Sequence, residues 1–104
     1  IRKKRLRKNL AWTIQWTERA RKSLRQLDPQ VQQRLLDFFQ HHLPSLRDPR
    51  LIGKSLKGNR QGLWRYRVGD YRALCLLRDK QFLVLVVQVA HRREVYKKAS
   101  FTAY

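Results

Sequence analysis

The chain has 104 residues and carries 25 lysines and arginines against 7 aspartates and glutamates, a net charge of +18 with a sequence pI of about 11.4. Hydrophobic residues make up 42% of it and aromatic residues 11%, which is enough for one small core and excludes a disordered basic tail. No apolar stretch approaches the roughly 18 residues of a membrane span, and the single cysteine, Cys75, has no partner for an internal disulfide.

The charge favours a nucleic acid as the partner, because a strongly basic small domain attracts polyanions. A solvated basic surface is the plainer alternative. An anionic membrane is disfavoured, since no Trp- or Phe-lined amphipathic helix stands apart from the core.

Cys75 falls inside an apolar run and is expected to be a small buried side chain. Because the basic N-terminus is not followed by a signal-peptide core, we expect a cytoplasmic protein.

Residues 1–9 hold six basic residues and little that could be buried, so we expect them to form a flexible basic arm. Removing those six charges from the net charge of +18 leaves +12 on the remainder. Residues 10–104 contain no repeat, low-complexity linker or Pro/Gly-rich hinge, which predicts a single folded domain that is itself basic.

The folded part opens with a strand and two helices. Apolar and polar residues alternate over 11–16, which predicts the first strand. Thr17 can cap a following helix, and Asp28 followed by Pro29 marks a second helix that we expect to end near Pro44. The apolar residues that carry these patterns are Trp12, Ile14 and Trp16 in the strand, Ala20, Leu24 and Leu27 in the first helix, and Val31, Leu35, Phe38 or Phe39 and Leu43 in the second.

A loop rich in Pro and Gly over 44–62 leads to three strand-like runs separated by two-residue turns, the pattern of an antiparallel meander. Residues 91–104 are expected to form an exit loop and a short helix. The complete order predicts an α+β fold: a small antiparallel sheet, made of one N-terminal strand plus the meander, with two helices packed on one face. The three runs cover 63–68, 71–77 and 82–90, with turns at 69–70 and 79–80.

Three arginines are expected to share one face of the first hairpin. Arg65, Arg67 and Arg72 occupy alternate positions of its two strands, and alternate side chains of a strand point the same way. If Val68 pairs with Tyr71, Arg67 lies opposite Arg72. Like charges opposed across a ladder destabilise it. The pattern therefore indicates a site for a polyanion, with phosphate the commonest candidate.

A second basic cluster, HRREVY at 91–96, follows the last strand, and the meander would return it to the border of the arginine hairpin.

His41 and His42 are adjacent, so they do not share a helix face, and they are better explained as complementing a helix C-terminus than as metal ligands. The sequence has no Cys/His cluster, Gly-rich phosphate loop or Ser-His-acid set. We therefore expect neither a metal nor another cofactor.

Three of these segments together resemble the RelE branch of the RelE/ParE toxin superfamily, small basic ribonucleases of bacterial toxin–antitoxin pairs. VAHRREVY at 89–96 is close to the motif that leaves the fourth strand in that family, and LKG at 56–58 and LWRYRVGDYRAL at 63–74 support it. The resemblance covers residues 11 to about 99. It implies a RelE-like fold and an endoribonuclease that enters the ribosomal A site and cuts mRNA within the codon, neutralised by a RelB-like antitoxin.

The resemblance also implies roles for individual residues. Arg65 and Arg67 are similar to the family's paired basic residues on the second strand, Arg72 to its phosphate-binding arginine, Arg92 to its arginine after the last strand, and Tyr96 to the tyrosine that stacks on a base. Further contacts to mRNA or to 16S rRNA in the ribosome are expected from four other basic residues, Lys54, Lys57, Arg60 and Arg93.

The sequence does not decide which residue would act as the general base. Cleavage of RNA by its own 2′-OH needs a group that removes the hydroxyl proton and positive charge for the phosphorane that develops. Where the family's type member has lysines, this chain has Arg65 and Arg67, and arginine is a poor proton acceptor. Histidine is the residue type most often used as an acid or base at physiological pH, so His91 is a candidate for either role. The alternative is catalysis by charge and positioning, with proton transfer through water.

Two other functions remain as alternatives. A ParE-like inhibitor of DNA gyrase would share the fold without ribonuclease chemistry, and a non-catalytic RNA-binding protein would use the same charge. The arginine set with Tyr96 argues against the gyrase inhibitor, because that branch does not use such a set.

Overall fold

The computed structural model describes residues 12–96. The basic arm expected at 1–9 lies outside the described residues, and so does the part of the expected exit loop and short helix, over 91–104, that follows Tyr96. The strands and helices, in chain order, are β1 (Thr13–Trp16), α1 (Glu18–Arg25), α2 (Pro29–Asp37), β2 (Lys54–Ser55), β3 (Trp64–Val68), β4 (Tyr71–Arg78) and β5 (Leu83–His91).

The sheet has the strand order β1-β5-β4-β3-β2. The predicted α+β class and the antiparallel meander of β3, β4 and β5 are confirmed. The prediction that the whole sheet is antiparallel is wrong, because β1 runs parallel to β5, with Thr13 paired to Leu83 and Trp16 to Val86. Alternation in a sequence shows which side chains share a face but carries no information on the direction of the neighbouring strand.

The predicted sheet also lacked β2, which adds a fifth strand at the edge beyond β3. It has only two residues, Lys54 and Ser55, which pair with Arg65 and Trp64. Two residues are too few to show the alternation of apolar and polar side chains that predicts a strand, so no sequence pattern marks this one.

Both predicted helix starts are confirmed. Thr17 caps α1, since its Oγ1 accepts a hydrogen bond from the Ala20 N–H at 3.1 Å, and Pro29 is the first residue of α2. After α2 the chain continues through a π-helical turn, Phe38–His42, and then a short 3₁₀ turn. The wider π turn keeps the chain helical up to the predicted end near Pro44.

Two apolar clusters hold the sheet, one on each face. The larger lies between the sheet and the helices and includes fully buried Leu35, Phe39 and Tyr66. The smaller lies on the opposite face. It consists of Leu63, Leu74, Val87 and Val95, with Leu56, Leu76, Leu85 and Ala90 packed around it. This second cluster attaches the loop before β3 and the turn after β5 to the helix-free face.

A β-bulge in β5 shifts the alternation of that strand. Gln88 pairs with Leu74 and Val86 pairs with Cys75, so Val87 has no partner on β4. A bulge changes which face the following side chains occupy. Because the strand is almost entirely apolar, the sequence gives no sign of the extra residue.

The turn between β3 and β4 depends on Gly69. Its φ is +61°, whereas Asp70 has a negative φ, the combination found in a type II′ hairpin turn with glycine at the first central position. A Cβ at Gly69 would also lie 2.7 Å from Nη1 of Arg34, whose guanidinium covers the turn.

We expect Gly69→Ala to lower the free energy of unfolding by about 1–2 kcal/mol, because an L-residue is strained at positive φ. Gly58→Ala is the matched control, since Gly58 has a φ of +69° but open space around the position of a Cβ. Urea unfolding of both variants separates backbone strain from displacement of Arg34. If Gly69→Ala is as stable as the wild type, this description of the turn is wrong.

Candidate functional site

The three hairpin arginines lie on the face of the sheet that carries no helix. Arg67 pairs with Arg72 and Arg65 with Leu74, as the sequence predicts. The residues between them, including Tyr66 and Val68, are buried in the cluster beneath the helices. Strand alternation therefore turns the arginines to the opposite, open face.

Lys54 extends this row of cations. It pairs directly with Arg65 across β2 and β3, so the two side chains share the open face of the sheet. Lys54 is exposed and Arg65 is half-buried. Four cationic side chains, Lys54, Arg65, Arg67 and Arg72, therefore span three neighbouring strands on one face.

The turn after β5 is folded back onto that face by Val95, which is completely buried in the second apolar cluster. The Val95 carbonyl accepts a hydrogen bond from Nε2 of Gln88 at 3.4 Å, and the Arg92 N–H donates to the Asp70 carbonyl at 2.8 Å. Nε of Arg92 also lies 3.9 Å from a carboxylate oxygen of Asp70. Arg92 is thus attached to the turn that joins β3 and β4.

Tyr96 is held between two arginines. Nη2 of Arg60 donates to the Tyr96 carbonyl at 2.7 Å, and the Arg60 guanidinium lies 5.1 Å from the centre of the Tyr96 ring. On the other side, Nη1 of Arg65 lies 3.5 Å from the Tyr96 hydroxyl, at the limit of a hydrogen bond. The residue is 38% exposed, so part of the ring remains open to a ligand.

Arg72 lies where these charges converge. Its Nη1 donates to the carbonyls of Gly69 and Tyr71, both at 2.9 Å, which fixes the guanidinium. Burial is the largest cause that lowers the pKa of Arg72 below its usual value, and the charges of Arg67, Arg65 and Arg92 lower it further. Since arginine stays protonated at neutral pH, the cluster carries a mutual repulsion that a bound anion would relieve.

Comparison with known proteins identifies the family of the chain. A family model described as the ParE toxin of the type II toxin–antitoxin system parDE matches residues 14–96. Toxin RelG of Mycobacterium tuberculosis is 29% identical over 89 residues, which cover 86% of this chain and all of RelG. The chain belongs to the RelE/ParE superfamily of type II toxins and is of the RelE type.

Solved structures support the same family. A chain of the RelBE2 toxin–antitoxin complex of Mycobacterium tuberculosis is 30% identical, with a TM-score of 0.73 over 79% of this toxin and 92% of that chain. The isolated E. coli RelE toxin shares the fold at 24% identity, with a TM-score of 0.60 over 78% of this toxin and 84% of RelE.

The structure does not bring His91 to the arginine cluster of the toxin. His91 pairs with Tyr71, whereas its neighbour Ala90 pairs with Arg72, so His91 faces the helix side of the sheet. Its ring packs edge to face on Tyr71 at 5.4 Å, and its Nδ1 accepts the Arg93 N–H at 3.2 Å. The bulge before it sets this orientation.

The other predicted RNA-contacting residues of the toxin are exposed or lie next to the cluster. Lys57 and Arg93 are exposed, in the loop before β3 and in the turn after β5. Arg60 is half-buried and packs on Tyr96. Sequence reasoning gave Arg60 a role toward RNA but missed that it also positions Tyr96.

Sequence reasoning also missed Gln88 and Val95, which position the turn that carries Arg92 and Tyr96. A glutamine inside an otherwise apolar strand is the signal that could have identified Gln88, since a buried polar group needs a hydrogen-bond partner. Val95 gave no such signal, because a single apolar residue among polar ones shows neither the helical nor the strand spacing of a buried face.

Within residues 12–96 of the toxin, no group of three or more His, Cys, Asp or Glu side chains is arranged to hold a metal ion. Over the same residues, neither helix has the length and hydropathy that a bilayer crossing requires.

Proposed function

We propose that this toxin is a ribosome-dependent endoribonuclease that cleaves mRNA in the ribosomal A site and so inhibits translation. The observation that carries the proposal is the convergence of five side chains from β3, β4 and the turn after β5 on one open face. They are Arg65, Arg67, Arg72, Arg92 and Tyr96.

This cluster fits the charge requirement of RNA cleavage. When the 2′-OH attacks the neighbouring phosphorus, negative charge builds on the phosphorane oxygens, and preorganised donors stabilise it. Arg72 is fixed by two backbone carbonyls and would bind the scissile phosphate. Arg92, held next to the Asp70 turn, would stabilise the leaving 5′-oxygen.

We assign the proton transfers to water that would enter the cluster with the RNA. Arginine side chains stay protonated at neutral pH and are poor general bases, and His91 faces the other side of the sheet. Catalysis would then depend on charge and on holding the attacking and leaving oxygens in line.

We expect His91→Gln to leave the cleavage rate within about twofold of the wild type, with an unchanged pH profile. The residue contacts Tyr71 and the backbone of Arg93 and faces away from the arginine cluster. Single-turnover cleavage measured from pH 5.5 to 8.5 tests this. A rate that falls strongly in His91→Gln, together with loss of an inflection that the wild-type pH profile shows, would restore His91 as the acid or base.

Tyr96 is expected to act through its ring. Stacking of a base on an aromatic side chain contributes about 1–3 kcal/mol, so Tyr96→Ala should lower cleavage by about 5- to 140-fold. Tyr96→Phe keeps the ring and loses only the long contact to Arg65, so it should remain within about threefold of the wild type. If Phe is as inactive as Ala, the hydroxyl and not the ring is required.

The partners proposed for the toxin are a RelB-like antitoxin, the ribosome and mRNA. Related toxins have been solved as complexes with their antitoxins, including RelBE2 of Mycobacterium tuberculosis and RelBE of E. coli. Exposed cations beyond the cluster, Lys54, Lys57 and Arg93, together with Arg60, would contact mRNA or 16S rRNA. Such a target implies a cytoplasmic location.

A ParE-like inhibitor of DNA gyrase is the second candidate, since the matching family model is described as a ParE toxin. Induced expression followed by primer extension on cellular transcripts separates the two. We expect arrested translation and new mRNA ends inside codons, both absent with Arg72→Ala. Intact transcripts accompanied by DNA breaks would instead support the gyrase inhibitor.

A further inference from the structure

An open groove runs along the free edge of β3, beside the arginine cluster. It consists of two clefts of about 750 and 420 Å³ that share Phe38, His42 and Arg67 in their linings. One wall is the π-helical turn after α2, and the other is the edge of β3 with Lys54 and Arg65. We call this continuous feature the edge groove.

The edge groove exists because β2 is too short to cover β3. Pairing between the two strands ends at Lys54 and Arg65. In a hairpin with a two-residue turn, the residues that flank the turn bond to each other, so the backbone groups of Arg67 point away from β4. Leu63, four residues earlier, has the same backbone orientation as Arg67. Its carbonyl also points away from β4 and accepts a hydrogen bond from the Leu56 N–H at 3.0 Å. Arg67 therefore presents its backbone N–H and carbonyl to the groove.

Charge in the edge groove is predominantly positive. Arg34 is exposed at the end near Gly69, Arg67 lies in the middle, and Lys54 and Arg65 lie at the other end. Among the described residues that line it, Asp37 is the single carboxylate, and it already accepts a hydrogen bond from Gln33 at 3.0 Å. Cations distributed along a groove can contact several phosphates of a nucleic acid backbone, whereas a compact anion would reach only some of them.

The floor of the groove supplies surfaces for unpaired bases. The rings of Phe38 and His42 lie 5.5 Å apart at 47° to each other, and Ile52 is 45% exposed beside them. Cationic grooves with aromatic surfaces are the usual means of binding single-stranded nucleic acid. A duplex, whose bases are stacked and paired, has no free base to place there.

We propose that the edge groove binds the single-stranded RNA next to the scissile linkage, with phosphates on Arg67 and Arg34 and an unstacked base against Phe38 and His42. This assignment rests on the proposed function for its substrate, and it extends the site from the open face of the sheet around the β3 edge. The groove is a binding and positioning site and adds no chemical step.

Fluorescence anisotropy with a fluorescein-labelled single-stranded RNA 12-mer tests the groove directly. Arg34→Ala and His42→Ala change exposed side chains, and we expect each to weaken binding at least fivefold relative to Arg21→Ala, an exposed control on α1. Loss of one phosphate contact should also reduce the salt slope of log Kd by about 0.7 for Arg34→Ala. The same sequence as an RNA duplex should bind more weakly than the single strand.

Unchanged affinity in both variants, or equal affinity for duplex and single strand, would overturn the groove. Its failure is distinguishable from failure of the ribonuclease proposal. If the wild type cuts mRNA on ribosomes and both variants bind and cut normally, the ribonuclease proposal is supported and the RNA-binding role of the groove is contradicted. If no cleavage occurs but both variants bind the 12-mer more weakly, the RNA-binding role of the groove is supported and the ribonuclease proposal is contradicted.

Discussion

Arg72→Ala is expected to lower the single-turnover rate of mRNA cleavage by about 100- to 1000-fold, the loss typical when one preorganised donor to a developing oxyanion is removed. Arg72 lies among Arg65, Arg67 and Arg92, and two backbone carbonyls fix its guanidinium.

The matched control is Arg78→Ala. Arg78 lies on the same strand and, six residues along β4, on the same face, but at the far end from the cluster and exposed to solvent. We expect it to cleave mRNA at the wild-type rate. Circular dichroism and urea unfolding should show that both variants are folded. A folded Arg72→Ala with full activity would remove Arg72 from the catalytic set.

Arg92→Ala is expected to reduce the cleavage rate at saturating toxin by a comparable factor, about 100-fold or more. Arg93→Ala should keep a rate close to the wild type under the same saturating conditions, because a contact from Arg93 to RNA would contribute to affinity and not to the chemical step. The two arginines are neighbours in the sequence, and only Arg92 has its charge directed to Arg72 and to the Asp70 turn. The Arg93 N–H instead donates to His91 on the other side of the sheet.

The same single-turnover assay measures this pair, and each variant serves as the control for the other. Equal losses in both would mean that overall positive charge in the turn matters and that the position of Arg92 does not. A larger loss in Arg93→Ala would assign the leaving-group role to Arg93.

The arginine face could be predicted from the sequence because local rules determine it. Gly69-Asp70 selects a two-residue turn, the turn sets the register of β3 and β4, and alternation then gathers Arg65, Arg67 and Arg72. The helix starts at Thr17 and Asp28 were predictable for the same reason, since capping and proline preferences act over a few residues.

Features that depend on distant contacts could not be predicted. The direction of β1 relative to β5 is set by the path of the chain through both helices, and the bulge at Val87 is hidden in an apolar run. The orientation of His91 follows from that bulge. The contact of Arg60 with Tyr96, 36 residues apart, arises only when the second apolar cluster joins the loop to the turn.

The central claim is that the converged arginines promote attack by the RNA's own 2′-OH on a ribosome-bound message. Purified toxin should be mixed with ribosomes that display a defined A-site codon, once on an all-RNA message and once on a message with a single 2′-deoxynucleotide on the 5′ side of the scissile linkage. We expect the all-RNA message to be cut inside the codon and the deoxy message to remain intact. Cleavage of the deoxy message at the same linkage, or no cleavage of either, would contradict the proposed function.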